Sequence, residues 1–300
     1  MTRLRTALIT TVRRQHDEVL DQVSGFSLGA EVPEFHVVVA LADRTVSQGQ
    51  LPITSDRWTT LIAGLPTVRQ QLPTARGLQL GVERAVEAGA ELLVLIDVTC
   101  IPGPRFLEQL HDHLATADQE GPTPSGSTPS GPTPAGPTLW APMVQRLRPA
   151  PPEGYEFTRL EEWVRAAERH PVLPLRPELG DAVVDPDQFS SPVLAISTAD
   201  LESVGGLCPD YVGGLGHDTD LAAAVTDAGG SVRLVPGATA YRQHQDTDEP
   251  DEAHLASATT DAQLFRERWG RWPQAPWLTE LTEAGLVTLP EEPQPSNRND

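Results

Sequence analysis

Leu92-Leu93-Val94-Leu95-Ile96-Asp97-Val98-Thr99-Cys100 is the stretch whose reading decides the fold. Five apolar residues in a row end on an aspartate. A run this short, built from Leu, Val and Ile, has the pattern of a strand buried on both faces of a mostly parallel sheet. A carboxylate at the C-terminal end of such a strand lies where open α/β sheets bind their ligands. Taken alone, Asp97 reads equally well as a solvated residue that opens a loop. The chain on either side separates the two readings.

Upstream, residues 7–12 form an apolar run, followed by a helical pattern through Val19, Leu20 and Val23 with Gly25 as its stop. Phe35-His36-Val37-Val38-Val39-Ala40-Leu41 is a second strand, closed by Ala42-Asp43. Strand, helix and strand within 43 residues make a βαβ unit. A short third strand is expected at 58–62. A helix then starts at Pro73-Thr74, with Thr74 as its cap, and runs through Leu78, Leu80, Val82 and Val86. Arg76 falls in its first turn, where a cation opposes the helix dipole by about 0.3–1 kcal/mol unless it faces an anion.

Downstream, a helix through Phe106, Leu107, Leu110 and Leu114 leads into a Gly/Pro/Thr/Ser-rich segment at 118–138, expected as a disordered insert within the domain. Strands are expected at 139–144, 192–197, 231–235 and 238–242, and helices within 155–169, from 198, from 217 and over 251–270. The Gly-rich run Tyr211-Val212-Gly213-Gly214-Leu215-Gly216 enters His217-Asp218-Thr219-Asp220. Its glycines supply backbone freedom or close approach. The aromatic-rich stretch from 268 to 277 is expected to pack on the core. Residues 1–285 thus read as a single domain, with 286–300 as a disordered tail.

The totals narrow the function classes. Against 42 acidic residues stand 22 basic ones, all arginine, giving a net charge of -20. That balance disfavours nonspecific binding to nucleic acid or to an anionic membrane. Cys100 and Cys208 are too few for a disulfide framework or a four-ligand zinc site. No apolar run approaches the ~18 residues of a membrane span, and the N-terminus shows no cleavage signal. The expectation is a soluble cytoplasmic protein without a transmembrane segment.

Four segments together resemble the family 2 glycosyltransferases of the GT-A fold, in a branch with a galactosyltransferase-like C-terminal segment. They are Thr74-Ala75-Arg76-Gly77, Ile96-Asp97-Val98-Thr99-Cys100-Ile101-Pro102, Gly205-Gly206-Leu207 through Gly216-His217-Asp218-Thr219-Asp220-Leu221, and Tyr241-Arg242-Gln243-His244. The resemblance covers roughly residues 6–280 outside the insert. It implies an α/β nucleotide-diphospho-sugar transferase fold, a mostly parallel sheet flanked by helices. It further implies inverting, metal-assisted transfer of a sugar from a nucleotide-diphosphate donor, with a UDP-sugar expected, to the hydroxyl of an unidentified glycan, lipid or small-molecule acceptor.

By the same resemblance, Asp218 is the general base, and Thr11, Asp43, Arg76 and Asp97 hold the nucleotide. Asp97, Thr99 and His244 hold Mn²⁺ or Mg²⁺, a nitrogen ligand favouring manganese. His217 and Asp220 face the acceptor. Two positions depart from the family pattern: Thr99 replaces the second carboxylate of the Asp-x-Asp motif, and His217 replaces the acid before the base. Both departures favour the alternative, a degenerate relative that binds nucleotide or sugar without turnover. A sugar-phosphate nucleotidyltransferase would want a glycine-rich loop after the first strand, and Thr11-Val12-Arg13-Arg14 has none.

Overall fold

The computed structural model describes residues 3–67, 72–120, 136–151, 154–156, 159–169, 184–244 and 252–290. The N-terminal half alternates strand and helix: β1 (Thr6–Val12), α1 (His16–Ser27), β2 (Phe35–Leu41), the single turn α2 (Arg44–Ser47), β3 (Thr59–Leu65), α3 (Thr74–Glu87) and β4 (Leu92–Ile96). These strands pair in parallel in the order β3-β2-β1-β4. The chain winds outward from β1 to β3, then crosses back to lay β4 on the other side of β1. That reversal leaves a crevice beyond the C-terminal ends of β1 and β4, the usual ligand position in such sheets.

The second half extends the sheet beyond β4. It supplies β5 (Cys100–Pro102), α4 (Phe106–Glu120), β6 (Thr138–Arg146), α5 (Leu160–Arg165), β7 (Glu168–Arg169), β8 (Val193–Ser197), α6 (Thr198–Ser203), α7 (His217–Asp227) and β9 (Ser231–Arg242). The full order is β3-β2-β1-β4-β8-β6-β9-β5, with β7 on β6. From the pairings, β1–β4, β6 and β9 point one way, and β8, β5 and β7 the other. The sheet is therefore mostly parallel by strand direction but mixed by pairing.

Alternation along the strands builds a three-layer core. Ala7, Ile9, Leu93 and Leu95 face α3, α6 and α7, where they meet Leu78, Val82, Leu201, Leu221 and Val225. Leu8, Val12, Leu92, Val94 and Ile96 face α1 and α4, against Val19, Phe26, Phe106 and Leu110. All five β4 residues are buried, each contributing about 1.5–3 kcal/mol as an upper estimate. Finally α8 (Glu252–Trp269) and α9 (Pro276–Glu283) form a cap in which Ala258, Ala262, Trp277, Leu278 and Leu281 pack together under Leu215.

Several boundaries differ from the sequence reading for physical reasons. Gly25 does not stop α1; it lies inside the helix, where a Cβ would collide with Ile101 of β5. Pro73, not Thr74, occupies the cap of α3. The two strands expected at 231–235 and 238–242 are one strand, bulged opposite Pro142/Met143. Pro236 has no N–H for the ladder there. Among the described residues of 155–169 the α-helix spans Leu160–Arg165, and Arg146 and Gln145 recruit Glu168 and Arg169 as β7. Of the expected insert, 118–120 continue α4 and Thr138 opens β6, while 121–135 lie outside the described residues. Of the expected tail, Val287 and Leu289 pack against the cap, while 291–300 lie outside the described residues. Among the described residues no helix is long and apolar enough to cross a membrane.

Candidate functional site

Asp97 directly follows the last residue of β4 and is exposed. Its peptide is clamped from three sides. The Asp97 N–H donates to Pro192 O at 2.8 Å, while its carbonyl accepts from Cys100 N–H at 2.9 Å and Gln22 Nε2 at 3.0 Å. The Gln22 amide also donates to Cys100 O, so α1 holds this turn directly. Thr99 folds back on the carboxylate: its N–H and hydroxyl both donate to Asp97 Oδ1, at 2.8 and 2.6 Å. The residue in the second-carboxylate position therefore orients the first one. Asp97 Oδ2 carries no hydrogen bond among the described residues.

The late histidine strand arrives beside this turn. β9 pairs with β5, and Gln243 N–H donates to Thr99 O at 2.8 Å. His244 follows immediately, with its N–H on the Tyr155 hydroxyl at 3.1 Å. Even so, no group of three or more His, Cys, Asp or Glu side chains that could hold a metal ion forms among the described residues. A threonine hydroxyl stands outside those four types; in the expected set of Asp97, Thr99 and His244, the Thr99 hydroxyl donates to Asp97 and keeps its lone pairs. Asp97 Oδ2 is an open carboxylate oxygen beside them. That suffices for an ion that completes its shell with waters and ligand phosphates.

Asp218 approaches from the other flank, in the first turn of α7. It is 5% exposed. Oδ2 accepts from the Ser190 hydroxyl and Ser191 N–H, both at 2.8 Å, and Oδ1 accepts from Thr219 N–H at 2.9 Å. A buried carboxylate requires such donors. Because Pro192 O receives the Asp97 N–H, the three residues 190–192 bridge Asp218 to Asp97. These two carboxylates and the Thr99–His244 junction therefore belong to one region at the sheet's rim.

Asp43 organises the neighbouring β1–α1 turn. Its Oδ2 accepts from Arg14 N–H at 2.8 Å and lies 2.8 Å from His16 Nε2, while Oδ1 caps α2 through Val46 N–H. Burial pushes this carboxyl up, but the Arg14, His16 and Val46 hydrogen bonds outweigh it and hold it below the ordinary value. Arg14 and Ala42 on either side both have left-handed backbone, φ 60° and 52°, a conformation that costs a non-glycine residue about 1–2 kcal/mol. Strain of this kind concentrates at functional sites.

Thr11 is half-buried, its methyl next to Gly77 at the start of α3. Arg76 stands exposed in the α3 first turn without a partner among the described residues. His217 is partly exposed at the first position of α7, its Nδ1 buried without a hydrogen bond. Asp220 is buried in the first turn of α7. At 2% exposure, its Oδ1 accepts from Arg268 Nε at 2.7 Å, Trp269 Nε1 at 2.8 Å and Tyr211 OH at 3.1 Å. The structure places Asp220 in a buried hydrogen-bond cluster with α8 and the Gly-rich run.

Sequence reasoning passed over Gln22, His16, Ser190 and Asp261. Only Ser190-Ser191 carries a local signal, a pair of hydroxyls directly before the Pro192 that enters β8. Asp261, in α8, is fully buried; its Oδ1 accepts the Val212 N–H at 2.8 Å, and its Oδ2 has no partner.

No family profile and no curated protein sequence matches the chain. Solved structures do. S. aureus TarS, residues 1–349, aligns with a TM-score of 0.54 at 10% identity, over 87% of this chain and 65% of that one. GalNAc-T7 with UDP, GalNAc and Mn²⁺ aligns at 0.55 and 11%, over 87% and 48%. The Pyrobaculum calidifontis mannosyltransferase PcManGT, with GDP-Man and Mn²⁺, aligns at 0.51 and 16%, over 95% and 70%. The chain thus spans about two thirds of the TarS fragment and about half of the GalNAc-T7 chain. Strand order, layering and these likenesses agree that the chain has the GT-A fold, a mixed, mostly parallel sheet flanked by helices.

Proposed function

We propose that this protein is an inverting glycosyltransferase that moves a sugar from a nucleotide-diphosphate donor to an acceptor hydroxyl. The observation that carries this reading is the 190–192 segment, which hydrogen-bonds the buried Asp218 carboxylate through Ser190 and Ser191 and takes the Asp97 N–H on Pro192 O, tying two carboxylate-bearing residues to one turn at the end of β4. A displacement reaction uses two such groups: one offsets charge on the departing diphosphate, and the other takes a proton from the attacking hydroxyl.

In this reading the nucleotide lies over the ends of β1 and β2, beside Thr11 and the turn built by Asp43. Arg76 offers the diphosphate a cation. A divalent ion, Mn²⁺ or Mg²⁺, when bound supplies charge neutralisation at the diphosphate. Asp97 would hold it, oriented by Thr99, with His244 nearby. Asp218 is the base. His217, at the open end of α7, lies toward the acceptor. A UDP-sugar is the first donor to try, because a TarS fragment has been seen with UDP-GlcNAc and GalNAc-T7 with UDP.

The second reading is a relative that binds nucleotide without turnover, favoured by Thr99 and by the hydrogen bonds that occupy Asp218. One experiment separates the two. UDP and GDP are screened for thermal stabilisation with and without Mn²⁺, and UDP- and GDP-sugars are then assayed for nucleotide release. Stabilisation with release supports transfer, and stabilisation without release supports the second reading. No stabilisation by either nucleotide refutes both.

A further inference from the structure

The burial of Asp218 raises a problem of access: a substrate hydroxyl does not reach a carboxylate that is 5% exposed. The donors already on it show the way in. Ser191 N–H and Thr219 N–H belong to the main chain. The Thr219 hydroxyl, 3.5 Å from Oδ1, is fully buried and donates at 2.9 Å to Phe189 O. The Ser190 hydroxyl alone combines an exchangeable O–H, a short 2.8 Å contact to Oδ2 and a residue that is partly open to solvent.

Ser190 is also held firmly. Phe189 before it is buried, with its carbonyl pinned by Thr219. Ser191 after it gives its N–H to Asp218 and its hydroxyl to Val193 O at 2.7 Å. Pro192 then accepts the Asp97 N–H. The hydroxyl therefore sits two residues from the peptide that positions Asp97, with its proton side aimed at Asp218.

Resting on the transferase reading, we propose that Ser190 is a catalytic proton relay between the acceptor hydroxyl and Asp218. The acceptor oxygen forms its bond to the anomeric carbon as that carbon's bond to the diphosphate oxygen breaks, and the electron pair leaves with the nucleoside diphosphate. The acceptor's proton passes to Ser190 Oγ while the proton Ser190 held passes to Asp218 Oδ2. One O–H bond breaks at the acceptor and one at Ser190; one forms at Ser190 and one at Asp218. No oxidant or further reactant is required.

The test uses UDP- and GDP-sugars with water as the acceptor, read as nucleotide release, alongside nucleotide-induced thermal shifts. General-base catalysis is worth about 10²–10⁴-fold. Ser190→Ala is expected to lower kcat about 100-fold with its nucleotide-induced shift unchanged and its melting temperature lowered by about 2–5 °C, for the donor removed from a buried carboxylate. Ser190→Thr, which keeps the hydroxyl, is expected to recover to within about tenfold of wild type. The dependence of wild-type kcat on the D₂O fraction should curve, as for two protons in flight, and become linear in Ser190→Ala. Ser190→Ala within threefold of wild type overturns the relay, as does equal inactivity of the Ala and Thr variants. Wild-type protein that binds nucleotide and never releases it from a sugar refutes the transferase reading itself, and the relay with it.

Discussion

Replacing Asp261 by asparagine should stabilise this protein, and should do so more strongly as pH rises. Asp261 lies on α8 beneath the Gly-rich run, accepts the Val212 N–H and leaves Oδ2 without a partner. Burial pushes its carboxyl up to about 8, against a weaker downward pull from the Val212 and Leu215 N–H groups. No charged neighbour contributes. Native Asp261 therefore keeps its proton at neutral pH, while the unfolded chain gives it up near 4. Between those values the native state binds more protons, so stability falls as pH rises and levels off above about 8. At about 1.4 kcal/mol per unit, the cost is roughly 4 kcal/mol at pH 7 and roughly 1–2 at pH 5.

Asparagine accepts the same Val212 hydrogen bond and cannot ionise. Asp261→Asn should recover about 2–4 kcal/mol at pH 7, allowing for the unpaired amide group it leaves in place of Oδ2. For a chain of this length that is a rise in melting temperature of about 3–6 °C. Calorimetric melts of both proteins from pH 5 to 9 test this, since the general effect of the net acidic charge is common to both. A difference in melting temperature that stays constant across that range, or that shrinks toward pH 9, would refute the reasoning.

Other perturbations probe the remaining features. His36 is fully buried with both ring nitrogens unpartnered, and burial pulls it down to about 3. The unfolded chain takes up that proton near 6.5, so wild type should lose about 1.4 kcal/mol per unit as pH falls from there toward 3; urea melts of His36→Leu should show that part of the acid limb removed. Asp43→Ala deletes a helix cap and the hydrogen bonds that hold the left-handed Arg14 turn, and should cost about 2–3 kcal/mol in urea unfolding and abolish nucleotide-induced stabilisation. Gly216, at φ 78°, places a would-be Cβ 2.9 Å from the Tyr211 ring; Gly216→Ala should lose about 2–3 kcal/mol and reduce turnover by disturbing the start of α7. Thr99→Asp restores a second carboxylate beside Asp97. It should tighten Mn²⁺ binding in the presence of UDP by at least tenfold in a calorimetric titration and lower the melting temperature in chelator, because the two charges then repel.

What the sequence by itself determined is local. The apolar alternation of residues 7–12 and 35–41 and the unbroken run 92–96 specify buried strands, because side-chain period and flanking turns act over a few residues. The alternation of those strands with amphipathic helices specifies a βαβ half-sheet, and with it Asp97 at a switch point. The tertiary structure decided the rest. β8 inserts antiparallel between β4 and β6, and that pairing brings Ser190–Pro192 across to join Asp218 to Asp97. Nothing in the local pattern distinguishes Asp218, Asp220 and Asp43 from exposed caps. Their donors come from Ser190, Arg268 and Arg14, 28, 48 and 29 residues away. Periodicity encodes which face of an element is apolar; which distant hydroxyl or guanidinium meets a given carboxylate is set only when the elements pack.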